Sequence, residues 1–169
     1  MNIAQYRKYD ISNGPGVRIN IFVSGCTHNC KNCFNKEYHD FNYGFKYNED
    51  FKNEVINDID SNRNILSGVS ILGGEPFQQI DDNDMIDLLK AISSRGINIW
   101  IYSGYLYETI ILSQKMKSIL ELCDILVDGP FVENLKDLNL KFKGSSNQRI
   151  IDIKQSLKTN KAVLWSEDK

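Results

Sequence analysis

Val17-Arg18-Ile19-Asn20-Ile21-Phe22-Val23-Ser24-Gly25-Cys26 is the stretch that decides the architecture. Its first seven residues are rich in β-branched side chains and partly alternate apolar with polar, the pattern of a β-strand. A small Ser24-Gly25 step then leads into a cysteine. The arrangement recurs downstream. Val69-Ser70-Ile71-Leu72 is a short buried strand ending in Gly73-Gly74-Glu75-Pro76. Ile97-Asn98-Ile99-Trp100-Ile101-Tyr102 is a strand closed by Ser103-Gly104, and Ile125-Leu126-Val127 is one closed by Asp128-Gly129. A last extended piece is expected over residues 148–153. Between these runs the period changes. Residues 49–61 place Phe51, Val55, Ile56 and Ile59 near helical spacing. Residues 82–94 read as an amphipathic helix with Met85, Ile86, Leu88, Leu89 and Ile92 on one side and Asp81 or Asp82 as its cap. Residues 107–122 read as one further helix.

Strands alternating with helices mean βαβ units, a parallel sheet and right-handed crossovers, with the helices over one side. The chain is too short for an eight-stranded barrel. The expected fold is therefore α/β, an open parallel sheet or partial (βα) barrel, formed by one domain over residues 1–153. Residues 154–169 are left as a C-terminal extension of unassigned role. Ligands of parallel sheets bind outside the carboxyl ends of the strands. Here four such ends carry small or polar residues to one rim, and the glycines there are expected to let a ligand approach the backbone.

The 169 residues suffice to bury a core without disulfides, and 41% apolar with 25% charged residues is a globular composition. Twenty Lys and Arg against 22 Asp and Glu give a net charge of -2, no general electrostatic reason to bind nucleic acid or anionic membrane. No apolar run approaches the roughly 18 residues of a membrane span, and residues 1–12 hold no stretch resembling a secretory signal. A cytoplasmic setting without nucleic-acid or membrane partners is expected.

Cys26, Cys30 and Cys33 crowd into Cys26-Thr27-His28-Asn29-Cys30-Lys31-Asn32-Cys33, while Cys123 stands alone. In a reducing compartment crowded thiols read as metal ligands or redox groups. Thiolates are soft, anionic donors suited to iron–sulfur clusters and to zinc. Three ligands are the informative number, because a four-iron cluster held by three cysteines leaves one iron open to an outside ligand. The competing reading is a zinc-binding module completed by His28, His39 or Cys123. His28 and His39 are expected beside the ligands or at the surface rather than among them, and Cys123 as a buried small apolar residue.

Cys26-x3-Cys30-x2-Cys33-Phe34-Asn35 after a strand, with Gly73-Gly74-Glu75-Pro76 after the next, resembles the paired motifs of the radical S-adenosylmethionine (SAM) enzymes. Asn13-Gly14-Pro15-Gly16-Val17-Arg18, Phe22-Val23-Ser24-Gly25-Cys26, Ile99-Trp100-Ile101-Tyr102-Ser103-Gly104-Tyr105, Val127-Asp128-Gly129 and Gly144-Ser145-Ser146-Asn147-Gln148-Arg149 extend the match. Taken in order, over roughly residues 2–151, they resemble the activating proteins of anaerobic (class III) ribonucleoside-triphosphate reductase. In that family the position of Glu75 is often Asp, which keeps the carboxylate. Activators of other glycyl-radical enzymes, such as pyruvate formate-lyase, resemble this pattern but are longer.

The resemblance implies a 4Fe-4S cluster on Cys26, Cys30 and Cys33, and SAM as cofactor. It also implies an external flavodoxin- or ferredoxin-like one-electron reductant. The partner it implies is the large glycyl-radical subunit of the reductase, which would receive the radical. It further implies that Gly73, Gly74 and Glu75 meet the methionine end of SAM, with Glu75 accepting from the ammonium. Asn32, Cys33 and Phe34 would lie near the adenine. Ser103, Asp128 and Asn147 would be ribose or carboxylate contacts, each with an alternative as a turn or cap residue.

Overall fold

The computed structural model describes residues 1–167. Seven strands form one open sheet: β1 (Asn2–Asp10), β2 (Val17–Val23), β3 (Phe45–Lys46), β4 (Leu66–Gly73), β5 (Asn98–Tyr102), β6 (Ile125–Asp128) and β7 (Arg149–Asp152). Their spatial order is β3-β1-β2-β4-β5-β6-β7. The central four, β2, β4, β5 and β6, are parallel as the βαβ pattern requires, while β1, β3 and β7 join antiparallel at the two sides. The sheet is thus mixed at its edges, and β1 is a strand that the sequence reading does not anticipate. Its burial runs half-exposed to exposed over Gln5–Asp10, as suits a strand near an edge, and such a strand carries little hydrophobic periodicity.

Helices α1 (Glu49–Ser61), α2 (Asp84–Ser93), α3 (Tyr107–Ile110), α4 (Gln114–Leu120) and α5 (Ile153–Thr159) follow. Asn48 caps α1 by accepting from the Phe51 amide. The helix expected over residues 107–122 is instead two short ones, because Ser113 leaves the helical conformation and caps α4 through the Met116 amide. The cap of α2 is Asn83 rather than Asp81 or Asp82, and Asn83 makes no side-chain cap bond. Asp82 accepts the Asp84 amide at 3.2 Å from one position further out.

The period-2 alternation of the strands separates two faces. Ile19, Ile21, Val69, Ile71, Ile99, Ile101, Leu126 and Ile151 form one continuous core with Val55 and Ile59 of α1, Leu88 and Leu89 of α2, Ile110 of α3 and Leu120 of α4. The opposite face carries Asn20, Ser70 and Trp100 in register across β2, β4 and β5. It holds a smaller cluster in which Trp100, Ile125 and Val127 meet Tyr102, Phe142, Ile150 and Trp165. Among the described residues, no α-helical side chain joins that cluster. Trp165 comes from the C-terminal extension, which hydrogen-bonds back to the sheet edge through the Trp165 amide and Ile150 carbonyl at 2.9 Å. Its indole stands edge-on to Trp100 at 5.2 Å.

Candidate active site

The parallel register brings the carboxyl ends of β2, β4, β5 and β6 to one level, and the chain that follows them encloses a cavity of about 570 Å³. Ligand sites commonly fall in the range of roughly 300–1,000 Å³. Cys26, Cys30, Cys33, Gly73, Gly74, Glu75, Ser103, Gly104 and Gly129 all line it, so each of the four strand ends contributes. The segment over residues 131–144, largely irregular but with a 3-10 turn at Glu133–Leu135, also lines it through Phe131, Leu138, Leu140, Phe142, Lys143 and Gly144.

Backbone hydrogen bonds weld the cysteine loop to the Gly-Gly-Glu turn. The Gly74 amide donates to the Val23 carbonyl at 2.7 Å and the Glu75 amide to the Gly25 carbonyl at 2.8 Å. Gly25 and Cys26 donate in turn to the Tyr38 and His39 carbonyls. Gly73 sits at φ +110°, a conformation that glycine adopts at least cost. A Cβ on Gly74 would come within 2.6 Å of the Gly25 oxygen. Gly74 therefore permits a close approach between two parts of this chain.

The three thiols are half-buried. Burial pushes the Cys26 thiol up to about 11 and raises Cys33 as well. Metal ligation needs the thiolate, so a metal taken up by these thiols would displace their protons. Among the described residues, no group of three or more His, Cys, Asp and Glu side chains is gathered closely enough to hold a single metal ion. Thiols distributed around a cavity suit a multi-iron cluster, in which each thiolate takes a different iron. The His39 Nε2 in the same wall is buried with no hydrogen-bond partner. Cys123 lies apart in the helix-side core, and burial raises its thiol too.

Glu75 is 1% exposed and its carboxylate is surrounded by donors. Oε1 accepts from the Phe77 amide at 3.0 Å and the Ser103 hydroxyl at 2.9 Å. Oε2 accepts from the Gly104 amide at 2.8 Å and meets His28 Nε2 at 2.9 Å. Ser103 lines the cavity while its hydroxyl is committed to Glu75 and to the Tyr105 amide. Phe34 also lines it, 60% exposed, with Phe131 at 5.1 Å and the Lys136 ammonium 4.9 Å above its ring.

Asn32, Asp128 and Asn147 are not in the wall. Asn32 takes φ +54° in the cysteine loop. Asp128 is fully buried and accepts from the Tyr107 amide at 2.7 Å and Arg149 Nε at 2.9 Å, so it braces α3 and β7. Asn147 donates to the Pro130 carbonyl at 2.8 Å. The Asp128 carboxylate and the Asn147 amide nitrogen thus bond to the chain itself. The sequence reading missed His28 as a contact of Glu75 and missed the whole wall over residues 131–144. The wall has no periodicity to read.

Residues 12–151 match the family model described as a 4Fe-4S single cluster domain, the class that an open α/β sheet with a three-thiol cavity already suggests. The anaerobic ribonucleoside-triphosphate reductase-activating protein of Escherichia coli (strain K12) is 38% identical over 150 residues, covering 88% of this chain and 96% of the relative. The protein of the same name from Vibrio cholerae is 34% identical over 89% of this chain and 97% of its own length. That of Enterobacteria phage T4 is 28% identical over 89% and 93%. The chain belongs to the family of anaerobic ribonucleoside-triphosphate reductase-activating proteins.

Proposed function

We propose that this chain is a cytoplasmic activase that carries a 4Fe-4S cluster and SAM in the cavity, and generates a glycyl radical on the large subunit of an anaerobic ribonucleoside-triphosphate reductase. When bound, the cluster supplies the electron, drawn from a flavodoxin- or ferredoxin-like donor, that splits SAM into methionine and the 5′-deoxyadenosyl radical that takes the hydrogen atom. The protein's part is binding, orientation and exclusion of water.

Cys26, Cys30 and Cys33 would hold the cluster, three thiolates for four irons. Glu75, already aligned by two backbone amides and Ser103, accepts from the methionine ammonium, a charge-assisted contact worth about 1.5–3 kcal/mol. Phe34 offers an aromatic face at the cavity mouth, and the Phe131–Gly144 wall keeps water from the reacting atoms. Among the described residues no helix is long and apolar enough to cross a membrane.

The observation that carries this reading is the meeting of three thiols and the Gly-Gly-Glu turn, with its buried carboxylate, in one cavity, in a chain of this family. The experiment is anaerobic reconstitution followed by addition of dithionite and SAM. Four irons and four sulfides per chain with 5′-deoxyadenosine formation are expected. A colourless protein holding one zinc and leaving SAM intact would overturn it.

A further inference from the structure

We propose that His28 is a positioning residue that joins the cysteine loop to Glu75 and holds that carboxylate in the orientation the ligand meets. The inference deepens the proposed function and rests on it, because it assigns Glu75 a ligand contact.

The geometry is specific. Glu75 Oε2 lies 2.9 Å from His28 Nε2 and 2.8 Å from the Gly104 amide. Since a carboxylate only accepts, Nε2 carries the proton in this contact. Three of the four donors around Glu75 come from the rims of β4 and β5. His28 alone comes from between the first two cysteines, so it links the chain that holds the metal to the carboxylate. The ring is fixed on its other sides. A Cβ on Gly104 would lie 2.6 Å from His28 Cδ2, so Gly104 makes the seat. Tyr105 stands edge-on at 4.5 Å. The neighbouring Thr27 is clamped to the same rim, its amide donating to Gln78 Oε1 at 2.9 Å while Gln78 Nε2 donates to the Thr27 hydroxyl at 2.8 Å and to the Tyr105 hydroxyl at 3.0 Å. Cys26–His28 is thereby held as one piece with the turn that carries Glu75. A buried carboxylate with a fixed set of donors keeps one orientation, and removing one donor frees it to turn or to draw in water.

The test uses the full chain reconstituted anaerobically, with His28→Ala, His28→Gln, Glu75→Gln and the His28→Ala/Glu75→Gln double variant. Iron and sulfide content, SAM affinity by calorimetry and the electron paramagnetic resonance (EPR) spectrum of the reduced cluster with and without SAM are recorded. His28→Ala is expected to keep its iron and to bind SAM about tenfold more weakly, the scale of one lost hydrogen bond to a charged group. Its SAM-induced spectral change should need correspondingly more SAM. His28→Gln, whose amide nitrogen can donate from a similar reach, should recover the affinity. The double variant should be no weaker than Glu75→Gln alone. Unchanged or tighter binding by His28→Ala, failure of His28→Gln to recover it, or loss of iron in His28→Ala would each overturn the proposal. If the unaltered protein itself fails to bind SAM, the proposed function falls and this inference with it.

Discussion

The two faces of the sheet are built by opposite rules. The helix-covered face is mostly aliphatic, with Ile19, Ile21, Val69, Ile71, Ile101 and Leu126 fully buried against the helices. The open face carries Arg18, Asn20 and Ser70, all buried, beside Trp100 and Tyr102. Arg18 is satisfied there, by the Ser70 hydroxyl, the Val69 carbonyl and Asn98, with its guanidinium over the Trp100 ring. The Asn20 amide and the Tyr102 hydroxyl are buried without partners. Unpaired buried polar groups cost stability. One face therefore holds the fold together, while the other accepts unfavourable terms next to a cavity.

The largest expected effect lies at the cavity's rim. Cys26→Ser, Cys30→Ser and Cys33→Ser should each lose the cluster, read as iron and sulfide content and visible absorption after reconstitution. Cys123→Ala should keep it, since Cys123 sits in the helix-side core. Loss of iron from a folded Cys123→Ala protein would break the division between the two regions.

Next comes the helix-covered face. Ile71 is fully buried in its centre, and Ile71→Ala should cost about 2–5 kcal/mol in chemical denaturation, from lost transfer energy and the cavity left behind. A smaller loss is expected from Trp165→Ala on the open face, about 1–2 kcal/mol, because the indole is half-buried and covers only the Trp100 cluster. That variant also reports whether the C-terminal extension supports the sheet. Asn20→Leu should change stability least and in the opposite direction, a gain of about 1 kcal/mol, because it removes an unpartnered amide at similar volume. Equal losses from Ile71→Ala and Asn20→Leu would show that the faces do not differ in this way.

Much of this was legible in the sequence because parallel strands and their helices write strong periodic patterns. The four central strands, α1 and the convergence of their carboxyl ends follow from those patterns. What escaped the sequence lacks a pattern. β1 is half-solvated and mostly polar, so its pairing with β2 leaves little trace in Asn2–Asp10. The break at Ser113 is a single cap within an otherwise helical run. The wall over residues 131–144 is irregular chain held by tertiary contacts such as the Ser145 hydroxyl on the Val132 amide. At the site, the cysteines were visible by spacing. The pairing of His28 with Glu75 spans 47 residues and depends on the seat made by Gly104. No local signal could disclose it.

Radical transfer from the cavity at the strand ends to a partner polypeptide, as proposed above, is tested most directly by EPR spectroscopy of the mixture. The reconstituted protein, reductant, SAM and the large reductase subunit are combined anaerobically and the spectrum recorded. A doublet on the partner, collapsing when the partner's glycines carry α-deuterium, is the predicted result. Formation of 5′-deoxyadenosine in step with a small-molecule product, with no radical on the partner, would contradict the account.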